Sequence, residues 1–179
     1  MARLIGITGG IGSGKSFYAR MQQQASYSVY DTDSAAKRIA EEEPSVRAQI
    51  VALLGEEAYA GGTYQTAYVA KRVFDEEQGE SLLQRLNAII HPAVRADLQR
   101  WQAEHAGEET LYVESALLFE SGLNTLCDEV VCVTAPEDVC IARVMARDHV
   151  SKEDVRARMA RQMSDDERQQ RSDRVYLNI

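Results

Sequence analysis

Eight consecutive residues near the N-terminus match G-x-x-x-x-G-K-[ST], a pattern that binds phosphate groups. They are Gly9, Gly10, Ile11, Gly12, Ser13, Gly14, Lys15 and Ser16. The glycines let the backbone wrap a phosphate chain, and successive N–H groups point at the anion. Lys15 is expected to reach the β and γ oxygens, and Ser16 to ligate Mg²⁺. We therefore predict that Gly10 to Ser16, together with Phe17, bind a nucleoside triphosphate.

The phosphate-binding pattern does not decide what happens to the nucleotide. Guanine-specific switch proteins usually carry an N-K-x-D segment that reads the base, and the sequence contains none. ATPases and small-molecule kinases remain. In both classes, transfer depends mainly on positioning and on neutralising charge at the phosphoryl oxygens. Such a protein needs carboxylates on the acceptor side and arginines that can approach the phosphates.

Three carboxylates at the ends of predicted strands are candidates for this chemistry. Asp33 either accepts a hydroxyl proton or holds a metal-bound water, or else it caps the following helix. For Asp31 we favour capping or another structural role, because alternate strand positions point to opposite sides. Glu114 ends another strand, where it either organises Mg²⁺ through water or faces solvent.

Arginines are concentrated between residues 143 and 174. Arg143 and Arg147 lie four residues apart on one predicted helix face, and Arg156, Arg158 and Arg161 follow on the next helix. One interpretation is a solvated surface whose arginines pair with nearby acids. For the group as a whole we favour a lid that closes over the triphosphate and excludes water.

These residues must be positioned by strands that alternate with helices. Short apolar runs predict five strands, at Arg3–Thr8, Tyr27–Tyr30, Thr110–Glu114, Glu129–Thr134 and Asp173–Leu177. Helices are predicted from Lys15, from Pro136 and from Ser151, the last by an S-x-x-D capping pattern. The order predicts a three-layer α/β fold, with a parallel central sheet and helices on both faces.

The segment from Asp33 to about His105 differs, because it is charged, helix-forming and almost without strand signals. Apolar residues at spacings of three and four predict a helix over Ser81–Ile90. Pro92 stands where a new helix can begin. We interpret the segment as a helical insertion.

The composition restricts the partners. The chain of 179 residues has 20 Lys and Arg against 28 Asp and Glu, a net charge of -8. This balance disfavours broad binding of nucleic acid or anionic membranes. The sequence contains no apolar run long enough to cross a membrane and no signal peptide, so we expect a cytoplasmic protein. Cys127, Cys132 and Cys140 are expected to be buried free thiols.

The ordered set of motifs resembles the bacterial dephospho-CoA kinase family over almost the whole chain. The matching segments are Thr8–Ser16, Tyr30–Asp33 with Ala36, Val73–Phe74, Leu86–Pro92, Leu117–Glu120 and the helix of Arg143 and Arg147. The resemblance implies ATP- and Mg²⁺-dependent phosphorylation of the 3′-hydroxyl of dephospho-CoA. It also implies a single P-loop kinase domain with a nucleotide core (about 1–32, 106–136 and 164–179), a CoA-binding insertion (33–105) and an arginine-rich lid (137–163).

The resemblance also assigns roles to individual residues. Asp33 becomes the general base, and Lys15 and Arg147 become the stabilisers of the γ-phosphate. His91 falls on the acceptor side. The remaining contacts that the resemblance implies are Thr8, Leu117 and Arg158 for the substrate, and Arg143 and Asn178 for ATP. ATP and dephospho-CoA are the implied partners, and the protein is expected to be a monomer or weak homo-oligomer.

The sequence departs from the family pattern in two internal segments. Ala116 replaces the proline of the family's D-x-P-L-L segment, and Glu114 replaces its aspartate; the longer carboxylate of Glu114 can still reach a metal-bound water. Thr66 stands where the family commonly has an arginine, so we expect no acceptor contact there.

Two alternative functions use the same residues. A related nucleoside-monophosphate or small-metabolite kinase would share the phosphate-binding loop and the lid. A non-enzymatic ATP-dependent switch would need only the loop, because a P-loop indicates nucleotide binding and not transfer. Asp33 and the arginine hairpin disfavour this last alternative.

Overall fold

The computed structural model describes residues 2–75 and 79–179. Residue 1 lies outside the described residues, and so do residues 76–78, which belong to the predicted helical insertion. The elements in chain order are β1 (Arg3–Thr8), α1 (Lys15–Gln24), β2 (Ser28–Asp31), α2 (Thr32–Glu42), α3 (Pro44–Leu54), a 3₁₀ helix (Glu56–Gly62), α4 (Thr66–Val73), α5 (Gly79–Glu104), β3 (Thr110–Glu114), a 3₁₀ helix (Leu123–Leu126), β4 (Glu129–Thr134), α6 (Glu137–Asp148), α7 (Lys152–Ala160), α8 (Asp165–Gln170) and β5 (Arg174–Leu177).

The described chain divides into two compact units. One comprises the residues up to Asp31 together with His105–Ile179, and the other comprises Thr32–Glu104. The first contains all five strands, and the second contains α2 to α5. Their assignment to nucleotide and CoA binding stays a prediction.

The first unit is built on a parallel sheet with the strand order β2-β3-β1-β4-β5. The five predicted strands are confirmed, to within a residue or so at their ends. In β1 every residue from Leu4 to Thr8 is buried, which is expected of a central strand covered on both faces. Ile7 lies level with Glu114 of β3, so the end of β3 and the loop after β1 share one edge of the sheet.

Side chains from one helix and three strands form a core beneath the predicted phosphate-binding loop. Tyr18 and Ala19 of α1 pack with residues of β1, β3 and β4, among them Ile7, Tyr112 and Val133. Burial of such side chains contributes roughly 1.5–3 kcal/mol each. The core therefore fixes the start of α1 against the sheet edge.

In the second unit, α5 runs for 26 residues from Gly79 to Glu104 with Pro92 inside it. Our expectation that a new helix begins at Pro92 is therefore wrong. Proline removes one helical hydrogen bond and usually breaks a helix. Here the buried residues Leu82, Leu86, Val94 and Leu98 continue at multiples of four on both sides of Pro92, so packing along one stripe outweighs the lost bond.

The pair α6 and α7 corresponds to the predicted lid. Ser151 caps α7 as its sequence pattern predicts: its hydroxyl accepts from Asp154 N at 3.1 Å, and the Asp154 carboxylate accepts from Ser151 N at 3.2 Å. Between the helices, His149 adopts a left-handed conformation with φ 54°. The turn between the two helices is thus defined by a capping box and a left-handed residue.

Cys132 and Cys140 are buried and Cys127 is half-buried, and all three are free thiols. Burial raises the pKa of Cys127 to about 12 and that of Cys132 to about 11. The described residues contain no group of three or more His, Cys, Asp and Glu that would hold a metal ion on its own. No helix among the described residues combines the length and apolar character needed to cross a membrane.

Candidate active site

The predicted phosphate-binding loop lies between β1 and α1, since β1 ends at Thr8 and α1 begins at Lys15. Gly12 and Gly14 both have positive φ, 79° and 90°. A side chain at Gly12 would meet the Cys140 backbone, and one at Gly14 would overlap the Asn178 amide. Glycine is therefore required at both positions by conformation and by space.

The start of α1 brings two oxygen groups together. Ser16 Oγ donates to Glu114 Oε1 at 2.6 Å. The contact arises because Ser16 lies in the first turn of α1 and Glu114 ends β3, the neighbour of β1. A hydroxyl and a carboxylate are the hard oxygen ligands that Mg²⁺ prefers, so these residues fit a magnesium site. Lys15, the first residue of the helix, is partly buried.

Arg143 and Asn178 both contact the backbone of the loop. Arg143 Nη1 donates to Asn178 O at 3.2 Å and lies 3.5 Å from Gly12 O, while Asn178 Nδ2 donates to Ser13 O at 3.0 Å. Asn178 N is itself anchored on Thr134 O, at the end of β4. The structure thus brings together two residues for which the resemblance implied contact with ATP.

Ile11 of the loop contacts the predicted lid (residues 137–163) in two ways. Its N–H donates to Gln162 Oε1 at 3.0 Å. Its side chain packs on the cluster formed by Ile141, Val144 and Val155 of α6 and α7. We name Ile11 with these three residues the loop-lid cluster. Sequence patterns did not indicate it, because both contacts join residues more than a hundred positions apart.

Two of the lid arginines share one carboxylate. Arg147 donates from Nε to Asp148 Oδ1 at 2.6 Å and from Nη2 to Oδ2 at 3.0 Å, and Arg158 Nη1 donates to Oδ2 at 2.8 Å. The hydrogen bond from Arg147, with help from Arg158, lowers the pKa of Asp148 from 3.8 to about 2. The same bond raises the pKa of Arg147. Sequence reasoning identified both arginines but missed Asp148.

A second ion pair, between Arg168 and Asp165, lies beside Gly10 at the beginning of the loop. Arg168 is 1% exposed and donates to Asp165 Oδ1 at 2.8 Å and to Met163 O at 2.9 Å. Asp165 Oδ1 would stand 2.9 Å from a Cβ at Gly10, and Oδ2 accepts from Thr134 Oγ1 at 3.3 Å. The pair was not anticipated, because nothing in the sequence indicates that Arg168 is buried.

Two residues with implied substrate contacts differ in exposure. Thr8 is fully buried, and its hydroxyl has no hydrogen-bond partner among the described residues. Leu117, in the turn after β3, is 37% exposed, and its N–H donates to Ser115 Oγ at 3.3 Å. The roles of both residues stay predictions.

Asp33 and His91 belong to the helical unit, on α2 and α5. These helices pack together, and Arg38 of α2 donates to Asp97 of α5 at 2.5 Å. Asp33 lies inside the first turn of α2, where the positive end of the helix dipole stabilises a carboxylate. The roles of Asp33 as base and of His91 as acceptor contact stay predictions.

Comparison with known proteins gives concordant matches. A family model described as dephospho-CoA kinase matches residues 3–179. A dephospho-CoA kinase of Porphyromonas gingivalis is 42% identical over 158 residues, which is 88% of this chain and 76% of that protein. The crystal structure of TT1252 from Thermus thermophilus has a TM-score of 0.85 and 34% identity, covering 99% of this chain and 89% of that one. A dephospho-CoA kinase structure from Campylobacter jejuni has 23% identity and a TM-score of 0.70. The match covers 99% of this chain and 89% of that one, and it shows the same fold.

Proposed function

The chain belongs to the dephospho-CoA kinase family, and from this premise we propose that it transfers the γ-phosphoryl group of ATP to the 3′-hydroxyl of dephospho-CoA, giving CoA and ADP. One structural observation carries the proposal. A complete phosphate-binding loop is followed directly by Ser16, whose hydroxyl lies 2.6 Å from the Glu114 carboxylate. A kinase requires this combination of an anion cradle and hard oxygen ligands.

The nucleotide would be held by the loop and by residues that contact it. The backbone from Gly10 to Phe17 would surround the phosphates. The N–H groups of Ile11, Ser13 and Phe17 already donate to Gln162 Oε1, Gly10 O and Gly14 O. The N–H groups that contact the anion would therefore be others, such as those of Gly14, Lys15 and Ser16, and the N-terminus of α1 adds favourable partial charge. Lys15 would pair with the β and γ oxygens. Arg143 and Asn178, which already contact loop carbonyls, lie beside the loop at Gly14, and their place supports a role in ATP binding.

Mg²⁺ is the proposed cofactor. Ser16 would ligate it directly and Glu114 through water. The ion held by these two residues would supply positive charge that neutralises the phosphate oxygens. Glu114 also accepts a hydrogen bond from the Ser16 hydroxyl, which leaves the lone pairs of the hydroxyl oxygen available to a cation.

The transfer step needs a base and cations around the γ-phosphate. We propose that Asp33 accepts the 3′-hydroxyl proton while that oxygen forms a bond to the γ-phosphorus. The bond from the γ-phosphorus to the β–γ bridging oxygen breaks, and ADP leaves. Lys15 and Arg147 would stabilise the charge on the phosphoryl oxygens. A positioned base of this kind contributes about 10²–10⁴-fold to a rate.

On the acceptor side, the family resemblance supports Thr8, His91, Leu117 and Arg158 as contacts for dephospho-CoA. The helical insertion, residues 33–105, would bind the CoA moiety, and residues 137–163 would form the lid. We propose a cytoplasmic monomer or weak homo-oligomer that acts on ATP and dephospho-CoA, without nucleic acid or membrane as partners. The net charge of -8 supports the exclusion of broadly anionic partners.

The proposal is tested by incubating the purified protein with ATP, Mg²⁺ and dephospho-CoA and measuring CoA and ADP by mass spectrometry. We expect equal amounts of both products, and none when EDTA replaces Mg²⁺. Nucleoside monophosphates and pantetheine compounds lacking the adenosine serve as competing acceptors. Preference for a monophosphate, or ATP binding with no transfer to any acceptor, would contradict the proposed function.

A further inference from the structure

Asp148 joins the two helices of the lid through one carboxylate. Its two oxygens accept three hydrogen bonds, two from Arg147 on α6 and one from Arg158 on α7. Oδ2 is shared, at 3.0 Å from Arg147 and 2.8 Å from Arg158. Both guanidinium groups are therefore gathered around a single anionic oxygen.

The place of Asp148 in α6 is unfavourable for an acid. It is the last residue of the helix, where the unsatisfied carbonyl groups carry partial negative charge that repels a carboxylate. Arg147, one residue earlier, is favoured there for the same reason. Asp148 thus breaks the preference for cations at the C-terminus of a helix, and Arg147 satisfies it. Exceptions to local sequence preferences concentrate at functional positions. The two arginine partners account for the exception.

Neither arginine is fixed by packing. The side chains of Arg147 and Arg158 are 63% and 46% exposed, whereas that of Asp148 is 23% exposed. Two cations at this spacing repel each other unless an anion lies between them. Long exposed side chains also lose rotamer entropy when they are held in one place. Asp148 is therefore the group that orders the pair.

The arrangement leaves donors for another anion. An arginine has five N–H donors. The contacts with Asp148 use two of them on Arg147 and one on Arg158. Asp148 therefore leaves three N–H donors on Arg147 and four on Arg158, and guanidinium donors suit the oxygens of a phosphoryl group.

We propose that Asp148 is a positioning residue for phosphoryl transfer: it aligns the Arg147 guanidinium, and with it Arg158, before the γ-phosphoryl group of ATP arrives. The inference rests on the proposed function, in which Arg147 stabilises the transferred group. A guanidinium that is already aligned does not have to reorganise at the moment of reaction. Loss of this alignment therefore lowers kcat. The phosphate-binding loop, which supplies most of the ATP contacts, is not affected.

The test is Asp148→Asn, which preserves the shape of the side chain and removes its charge. Loss of a partner that orients a metal ligand typically costs about 10–100-fold, and we expect the loss of a partner that orients an arginine to lower kcat by a similar factor, with the KM for ATP changed less than about 3-fold. The second readout is the ¹⁵Nε resonance of Arg147 in the ATP-free protein. We expect it to be resolved in the parent protein and to merge with those of the exposed arginines in the variant.

Glu153→Gln is the matched control. Glu153 is an exposed carboxylate in the first turn of α7, so the variant makes the same change in lid charge away from both arginines. Its kcat, KM and Arg147 resonance are expected to match the parent protein. Equal losses in both variants would overturn the proposal in favour of a general charge effect.

An unchanged kcat in Asp148→Asn would also overturn it, whether or not the variant has a lower melting temperature or a raised KM for ATP. Failure of the proposed function is distinguishable from this result. If the parent protein forms no CoA, the kinetic comparison is made on whichever acceptor it phosphorylates or on its basal ATP hydrolysis. The Arg147 resonance reports the contact with Asp148 in every case.

Discussion

The Ser16 hydroxyl donates a 2.6 Å hydrogen bond to Glu114, which joins the first turn of α1 to the end of β3. The two residues are 98 positions apart in sequence and meet because β1 and β3 are parallel neighbours. A charge-assisted bond of this kind fixes the orientation of the hydroxyl. The hydrogen bond therefore orients the two residues of the proposed metal site through protein contacts alone.

Glu114→Gln should reduce turnover and weaken the response to magnesium. The amide keeps the length of the side chain but lacks the charge that orients Ser16 and attracts a hydrated cation. Partners that orient metal ligands typically contribute 10–100-fold to metal affinity or activity, and we expect a loss of about this size. The measurement is CoA formation across a Mg²⁺ titration. Glu109→Gln, just before β3 at the other end of that strand, is the control and should leave the titration unchanged.

Asp33→Asn should abolish most of the turnover while sparing ATP binding. The amide cannot accept the 3′-hydroxyl proton, so we expect kcat to fall by about 10²–10⁴-fold. Binding of a fluorescent ATP analogue, measured in parallel, should change little, because the phosphate-binding loop is intact. Glu42→Gln removes an exposed acid at the far end of the same helix and should behave like the parent protein. Undiminished turnover in Asp33→Asn would refute the assignment of the base.

Arg168→Ala should lower the free energy of unfolding by about 2–3 kcal/mol. The change leaves a void at a side chain that is 1% exposed, and it removes the donor to Met163 O. Asp165 is 41% exposed, so water can solvate its carboxylate and limit the loss. Urea denaturation measures the free energy of unfolding of each variant. Arg168→Met should lose less because it refills the volume, and Arg20→Ala, an exposed position on α1, should stay within about 0.5 kcal/mol.

His149→Gly should stabilise the turn between α6 and α7. His149 has φ 54°, a left-handed conformation that costs a residue with a side chain about 1–2 kcal/mol and costs glycine nothing. The greater freedom of glycine in the unfolded chain offsets part of this gain, so we expect a net increase of about 0.5–1 kcal/mol. Thermal unfolding of the variant and the parent protein measures this difference in stability. His105 is not among the described residues with positive φ, so His105→Gly should bring no gain.

Most of the sheet and the loop could be predicted from the sequence, because they depend on local signals. Strands such as Arg3–Thr8 are short apolar runs, and the loop is a fixed pattern of glycines. The capping box at Ser151 is equally local and is confirmed. Each of these features is encoded within fewer than ten consecutive residues.

The prediction at Pro92 failed because a local rule was applied to a residue whose conformation is decided by packing. The buried stripe that continues through Leu86 and Val94 holds α5 together across the proline. Asp148 and the partner of Gln162 escaped prediction for a related reason. Their partners are chosen by the tertiary fold, as in the bond from Ile11 to Gln162, which spans 151 positions.

Ile11 also links the packing of two parts of the kinase. Its side chain completes the loop-lid cluster with Val144 and Val155, and close-packed cores tolerate changes that conserve total volume better than single enlargements. A larger side chain at position 11 is therefore tolerated best together with a smaller one on α6 or α7. The second variable position of the phosphate-binding motif is consequently constrained from outside the motif, by its packing on α6 and α7.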